Sequence, residues 1–136
     1  MAEAANWIPE YSVGVAELDV QHQRLFRIAQ ELSHAVKHGH GPERLGAILS
    51  KAVTYTIEHF ATEEELMLRY GYPEAFGHRL EHNRFTMKIA YLQREHESGK
   101  LEAAEELLEA MEQWLKEHVT KRDREYVNYF RSKGVK

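Results

Sequence analysis

Residues 45–70, LGAILSKAVTYTIEHFATEEELMLRY, decide the fold. Leu45, Ile48, Leu49, Ala52, Thr56, His59, Glu63, Leu66, Met67 and Tyr70 recur at intervals of three and four, the spacing of one helical face. Two of these positions, His59 and Glu63, are ionisable on a face otherwise suited to burial. A polar group buried without a partner loses its hydration uncompensated, so both require partners from elsewhere in the chain.

The same periodicity extends outward in both directions. Upstream, Leu18, His22, Leu25, Phe26, Ala29, Leu32 and Val36 form a first helical face, with Asp19 placed to favour its amino-terminal turn. His38-Gly39-His40-Gly41-Pro42 ends that helix, and Pro42 suits the first turn of the next. Downstream, Gly71-Tyr72-Pro73 stops the second helix. A third begins near Glu74, carries Phe76 or Gly77, His78, His82, Phe85, Ile89 and Leu92 on one side, and ends at Ser98-Gly99. Leu101, Ala104, Leu107, Leu108, Met111, Leu115 and His118 mark a fourth. Such short loops make sequential helices antiparallel neighbours, which predicts an all-α, up-down-up-down four-helix bundle. Residues 1–17 read as an extended arm laid across it. Glu125 to Arg131 read as a short additional helix with Tyr126, Tyr129 and Phe130 buried.

Depth in such a bundle is readable from position along each helix. His22 opens the first helix, His59 and Glu63 close the second, His78 and His82 open the third, and His118 and Asp123 close the fourth. All seven fall in one layer at one end. The remaining histidines fail this test. His38 and His40 sit in the opposite loop, His96 is roughly 21 Å along the helix from His82, and His34 is about 120° around from His22. His59 with Glu63, and His78 with His82, are four apart and stacked on one face. His118 and Asp123 are five apart, about 140° on an ideal helix, which predicts a bulge or a break near Val119 and Thr120. Glu31 and His34 make a single Glu-x-x-His, whereas ferritin-like di-iron sites use two such pairs. The layer reads as a site for two metal ions.

Composition limits the alternatives. At 136 residues the chain suits one domain, 1–136. A formal charge of −4, with the basic run Lys121, Arg122 and Arg124 interleaved by Asp123 and Glu125, argues against nucleic-acid binding. No cysteine is present, so a metal must be held by nitrogen and oxygen. The amino-terminal stretch lacks a basic segment followed by an apolar one, and no run approaches the ~18 apolar residues of a membrane span, so a cytoplasmic protein is expected.

At His59-Phe60-Ala61-Thr62-Glu63-Glu64, with His78-x-x-x-His82 and His118-x-x-x-x-Asp123 downstream, the chain resembles the hemerythrins, in particular the bacterial single-domain bacteriohemerythrins. Trp7-Ile8, Val13-Gly14-Val15, Leu18-Asp19 and Gln21-His22 resemble the family's amino-terminal signature. The resemblance implies two iron ions bridged by Glu63, Asp123 and an oxo or hydroxo group. His78, His82 and His118 would fill one iron, while His22 and His59 would leave an open position on the other. It further implies reversible binding of dioxygen as a hydroperoxide, for carriage, storage or delivery. Spacing by itself also admits zinc or manganese.

Leu115 is the first choice for lining the oxygen pocket, with Ile57, Phe60, Phe26 and Trp114 as companions. Asp19, Gln21, Glu58 and Glu81 are near enough in sequence to orient the imidazoles. Glu64 and Glu65 read as a solvated face, and Tyr72, Phe76 and Tyr91 as surface. A carrier is expected before an enzyme acting on nitric oxide, peroxide or ferrous iron, because no substrate-binding constellation accompanies the ligands. An oxygen or redox sensor would need a separate output partner. The expected partners are dioxygen and an oxygen-recipient protein, and the expected state is a monomer.

Overall fold

The computed structural model describes residues 6–136. Four helices, α1 (Ala16–Lys37), α2 (Gly41–Arg69), α3 (Ala75–Glu97) and α4 (Ala103–Trp114), follow one another with short loops. Each packs on the next and α4 returns to α1, which closes the predicted antiparallel bundle. Among the described residues there is no strand, and no helix is long and apolar enough to cross a membrane. The loops are built as the sequence indicates. Gly39 and Gly71 adopt φ of 75° and 66°, a left-handed backbone that glycine takes without steric cost. The next amides then turn back, His40 N–H to the Ala35 carbonyl at 2.8 Å and Tyr72 N–H to that of Met67 at 2.9 Å.

Past Trp114 the fourth helix changes character. Residues Leu115–Arg122 form a π-helix, Asp123–Tyr126 a 3₁₀ turn, and Val127–Ser132 a short helix, α5. A π-helix bonds each amide to the carbonyl five residues back, so residues five apart share a face. That is the irregularity the His118–Asp123 spacing predicts near Val119 and Thr120.

Two apolar clusters bracket the site. The larger fills the bundle interior and includes Leu25, Leu32, Ile48, Leu49, Ile89, Leu107 and Met111. Each such side chain contributes about 1.5–3 kcal/mol by leaving water. The smaller joins Val13, Val15, Leu18, Met67, Tyr72, Tyr126 and Phe130 and covers the site end. The arm supplies part of this cover. Asp19 clasps it by accepting from Ser12 Oγ at 2.5 Å and Val13 N–H at 2.8 Å, and Arg124 donates to the Ser12 carbonyl at 3.1 Å.

Several expectations are corrected. The arm is not wholly extended, because Pro9–Tyr11 make a 3₁₀ turn, and α1 begins at Ala16; the part of that reading on residues 1–5 lies outside the described residues. Tyr72 is buried, not surface, since the chain reversal after α2 folds its ring against Tyr126, Tyr129 and Phe130. Phe76 points to solvent, as its reading as surface expects, because it stands two residues from His78 on the opposite side of α3, and of the pair Phe76 or Gly77 only Gly77 is partly buried. Leu101 precedes α4 and is also exposed.

Candidate metal centre

His22, His59, Glu63, His78, His82, His118 and Asp123 are all buried, and their donor atoms gather as two overlapping groups. His22 and His59 stand with Glu63 and Asp123 in one. His78, His82 and His118 stand with the same two carboxylates in the other. Within each group the donors lie within 4.8 Å of one another.

Both carboxylates are shared, one oxygen to each side. Glu63 Oε2 faces His59 Nε2 at 3.2 Å and His22 Nε2 at 3.7 Å, while its Oε1 faces His78 Nε2 at 2.5 Å and His82 Nε2 at 3.0 Å. Asp123 Oδ2 faces His22 Nε2 at 3.0 Å, and its Oδ1 faces His78 and His118 Nε2 at 2.8 and 3.0 Å. Regular α-helix aligns His59 with Glu63 and His78 with His82. The π-helical turn performs the same task for His118 and Asp123.

Two observations show that these donors fit metal ions. Nitrogens bound ~2.1 Å from one ion at right angles lie about 3.0 Å apart. The Nε2 atoms of His22 and His59 are 3.2 Å apart, and those of His78 and His118 3.1 Å. His82 Nε2 and both Asp123 oxygens are buried without an aligned hydrogen bond despite close contacts, so they aim between their neighbours more than at them.

Charge gives the same reading. Burial opposes ionisation of His22 and His78, yet contacts with Asp123 and Glu63 outweigh it and push their pKa values up to about 9 and about 10. Burial also opposes the Glu63 charge, but the surrounding imidazoles, His59 foremost, hold this carboxyl well below the usual range. Asp123 is likewise held down, chiefly by His118 and His22 against its own burial. For His59, burial prevails and the pKa is lowered. Two buried carboxylates thus demand positive charge between them, which the protonated His22 and His78 supply here and which metal ions would supply in their place when bound.

The outer ring nitrogens have partners of their own. His59 Nδ1–H donates to Gln21 Oε1 at 2.6 Å, His82 Nδ1–H to Glu64 Oε2 at 2.8 Å, and His118 Nδ1–H to Glu81 Oε1 at 2.9 Å. Of the four residues considered from sequence, Gln21 and Glu81 take this role. Asp19 instead clasps the arm, and Glu58 pairs with Arg24 at 2.7 Å. Glu64 is not simply solvated face, because α3 brings His82 to it. Sequence reading also missed the Tyr126 hydroxyl, which donates to Glu63 Oε2 at 2.9 Å. Its signal was available: Tyr126 stands three residues beyond Asp123, one helical turn on.

Aromatic rings cover three imidazoles. Phe60 stacks on His82 and Trp114 on His118, both with centroids 3.8 Å apart, and Tyr55 stacks on His59 at 5.1 Å. Phe26, Phe60 and Leu115 belong to the adjoining core, with Trp114 packed against it. Ile57 does not: it is 66% exposed, because two residues rotate it about 200° from His59, so its place in an oxygen pocket is withdrawn.

A helical bundle closed around two imidazole groups that share two carboxylates has the donor set of a metal-binding protein. The Hemerythrin HHE cation binding domain profile matches residues 13–130, and the chain belongs to the hemerythrin family. It is 29% identical over 126 residues to a bacteriohemerythrin of Clostridium acetobutylicum, covering 90% of this chain and 98% of that one. A bacteriohemerythrin of Stenotrophomonas maltophilia is 29% identical over 122 residues, covering 90% and 78% of the two chains. One of Methylococcus capsulatus is 28% identical over 117 residues, covering 86% and 88%.

Proposed function

We propose that this protein binds dioxygen reversibly at a non-haem di-iron site, for carriage, storage or delivery. The observation that carries the reading is the division of five imidazoles into three and two around the same pair of carboxylates. Two ferrous ions, when bound, supply the two electrons that dioxygen takes up and returns.

The residues divide the work. His78, His82 and His118 would fill one iron together with oxygens of Glu63 and Asp123 and a bridging oxo or hydroxo group. His22 and His59, with the other two carboxylate oxygens, would hold the second iron with fewer protein donors and so admit a small ligand. Imidazole and carboxylate suit iron, which supports that metal over softer ones. Tyr126 fixes the Glu63 bridge through its hydroxyl. Leu115, Phe26, Phe60 and Trp114 are proposed to keep water and acids from the gas pocket, so that electrons return to the iron and reduced oxygen is not lost. We place the chain as one domain, monomeric and cytoplasmic, with an oxygen-recipient protein as its further partner.

The test begins with two irons per chain, reduced without air. Air followed by argon should bring and remove a visible absorption, with both irons still ferrous at the end. Persistent conversion to ferric iron in one cycle would overturn the carrier reading in favour of turnover on dioxygen or peroxide.

A further inference from the structure

The two imidazole groups differ in what receives their outer protons. In the three-histidine group, His82 and His118 each donate Nδ1–H to a carboxylate, Glu64 and Glu81. In the two-histidine group, His59 donates to the neutral amide of Gln21. His22 Nδ1 and His78 Nδ1, one in each group, have no hydrogen-bond partner among the described residues, so the contrast lies in His82 and His118 against His59. A carboxylate acceptor pulls the Nδ1 proton outward, makes the ring a stronger electron donor through Nε2, and favours the higher charge on a bound metal. An amide does this more weakly. The rings are buried while Glu64 and Glu81 are partly exposed, so solvent tempers the contrast without removing it.

We propose that Glu64 and Glu81 bias the two metal positions, making the ion held by His78, His82 and His118 the easier to oxidise and the harder to reduce. Arg122 moderates the bias, since its Nε lies 2.8 Å from Glu81 Oε2 and partly cancels that charge. This inference rests on the two-iron reading. Its functional sense follows from the coordination count. On that reading the three-histidine position would have no place for gas and would contribute only an electron, which a strong donor set on His82 and His118 would ease.

Stepwise reduction of the di-ferric protein by dithionite through mediator dyes tests this, each step taking one electron from ferric to ferrous. The upper step belongs to the two-histidine position and the lower to the other. Glu64→Gln and Glu81→Gln should each raise the equilibrium constant of the lower step roughly tenfold, about 59 mV for one electron, with a smaller change in the upper step. Gln21→Glu should lower the upper step and narrow the gap. Arg122→Met should lower the lower step, a sign opposite to Glu81→Gln that general loosening of the fold would not produce. Variants that keep two irons but shift both steps equally, or neither, would overturn the proposal. A parent protein that does not hold two irons would bring down the two-iron reading and this inference with it, a failure visible in the iron content before any potential is measured.

Discussion

Both ends of the bundle are rich in histidine, yet only one gathers its rings. At the far end His34 in the last turn of α1 and His38 just past it are four apart, the same interval as His78 and His82 on α3, and their ring centroids approach to 4.1 Å. They are exposed, and His38 bonds back to the His34 carbonyl at 2.9 Å. At the near end the same spacing lies under the cover of Val13, Val15, Tyr72, Tyr126 and Phe130, with Glu63 and Asp123 between the rings. Helical spacing therefore does not distinguish the two pairs. Depth, cover and shared carboxylates do.

Removing a shared carboxylate is the strongest way to break that contrast. Glu63→Ala takes one donor oxygen from each group at once and deprives His22, His59, His78 and His82 of their common counter-charge. Iron content should fall from two per chain to below one, as read by metal analysis of purified protein. His118→Ala should also prevent full occupancy. Two irons retained in Glu63→Ala would show that this carboxylate is not a bridge.

Charge sharpens the comparison next. In the metal-free protein His22 and His78 have pKa values near 9 and 10, above the ordinary 6.5, so their contribution to stability is complete below about pH 6.5. It is lost as pH rises through 9 to 10. Glu63 and Asp123 have depressed values, so their contribution holds above their ordinary 4.5 and 3.8 and is lost as the solution is acidified. Metal must displace the protons on His22 and His78, and those that the raised pKa of His82 retains, so loading at pH 7 should release protons into weak buffer. Denaturation midpoints of chelator-treated protein should decline between pH 7 and 10, while those of loaded protein stay nearly level. A level curve for both would remove the electrostatic account of the near end.

The cover is tested more gently by Tyr126→Phe, which keeps the ring and removes the hydroxyl bonded to Glu63. A bond to a charged group contributes about 1.5–3 kcal/mol, so the unfolding midpoint should fall accordingly. Metal affinity should drop roughly 10- to 100-fold, the usual cost of losing support behind a ligand. If affinity were unchanged, the hydroxyl would serve only the packing of the end cluster.

Much of this contrast was legible in the sequence because helical depth is an arithmetic property. His22, His59, Glu63, His78, His82, His118 and Asp123 could be placed in one layer from the loops alone, and the five-residue interval after His118 called for the π-helical turn. What escaped was lateral information. Glu64 follows Glu63 by one residue, and only the approach of α3 aims it at His82. Tyr72 looked exposed because its burial depends on where α5 returns. Ile57 is near His59 along the chain, but its angle around α2 turns it to solvent. Asp19 and Glu58 behave likewise, near a ligand along the chain but turned to the arm and to Arg24.

The smallest expected effect tests the contrast from its other side. His34 is exposed and His96 half-buried at the end of α3, where its ring nears Gly46. Neither faces Glu63 or Asp123, and neither belongs to a group able to hold an ion. His34→Ala and His96→Ala should therefore keep two irons per chain and an unchanged air-and-argon cycle, with unfolding midpoints within about 0.5 kcal/mol of the parent for the exposed His34. His96→Ala should cost somewhat more by trimming a half-buried ring, which thermal unfolding would register without any change in metal content. If iron fell in either variant as far as in His118→Ala, depth along the helices would lose its power to separate ligand from bystander, and the two ends would have to be read as one system.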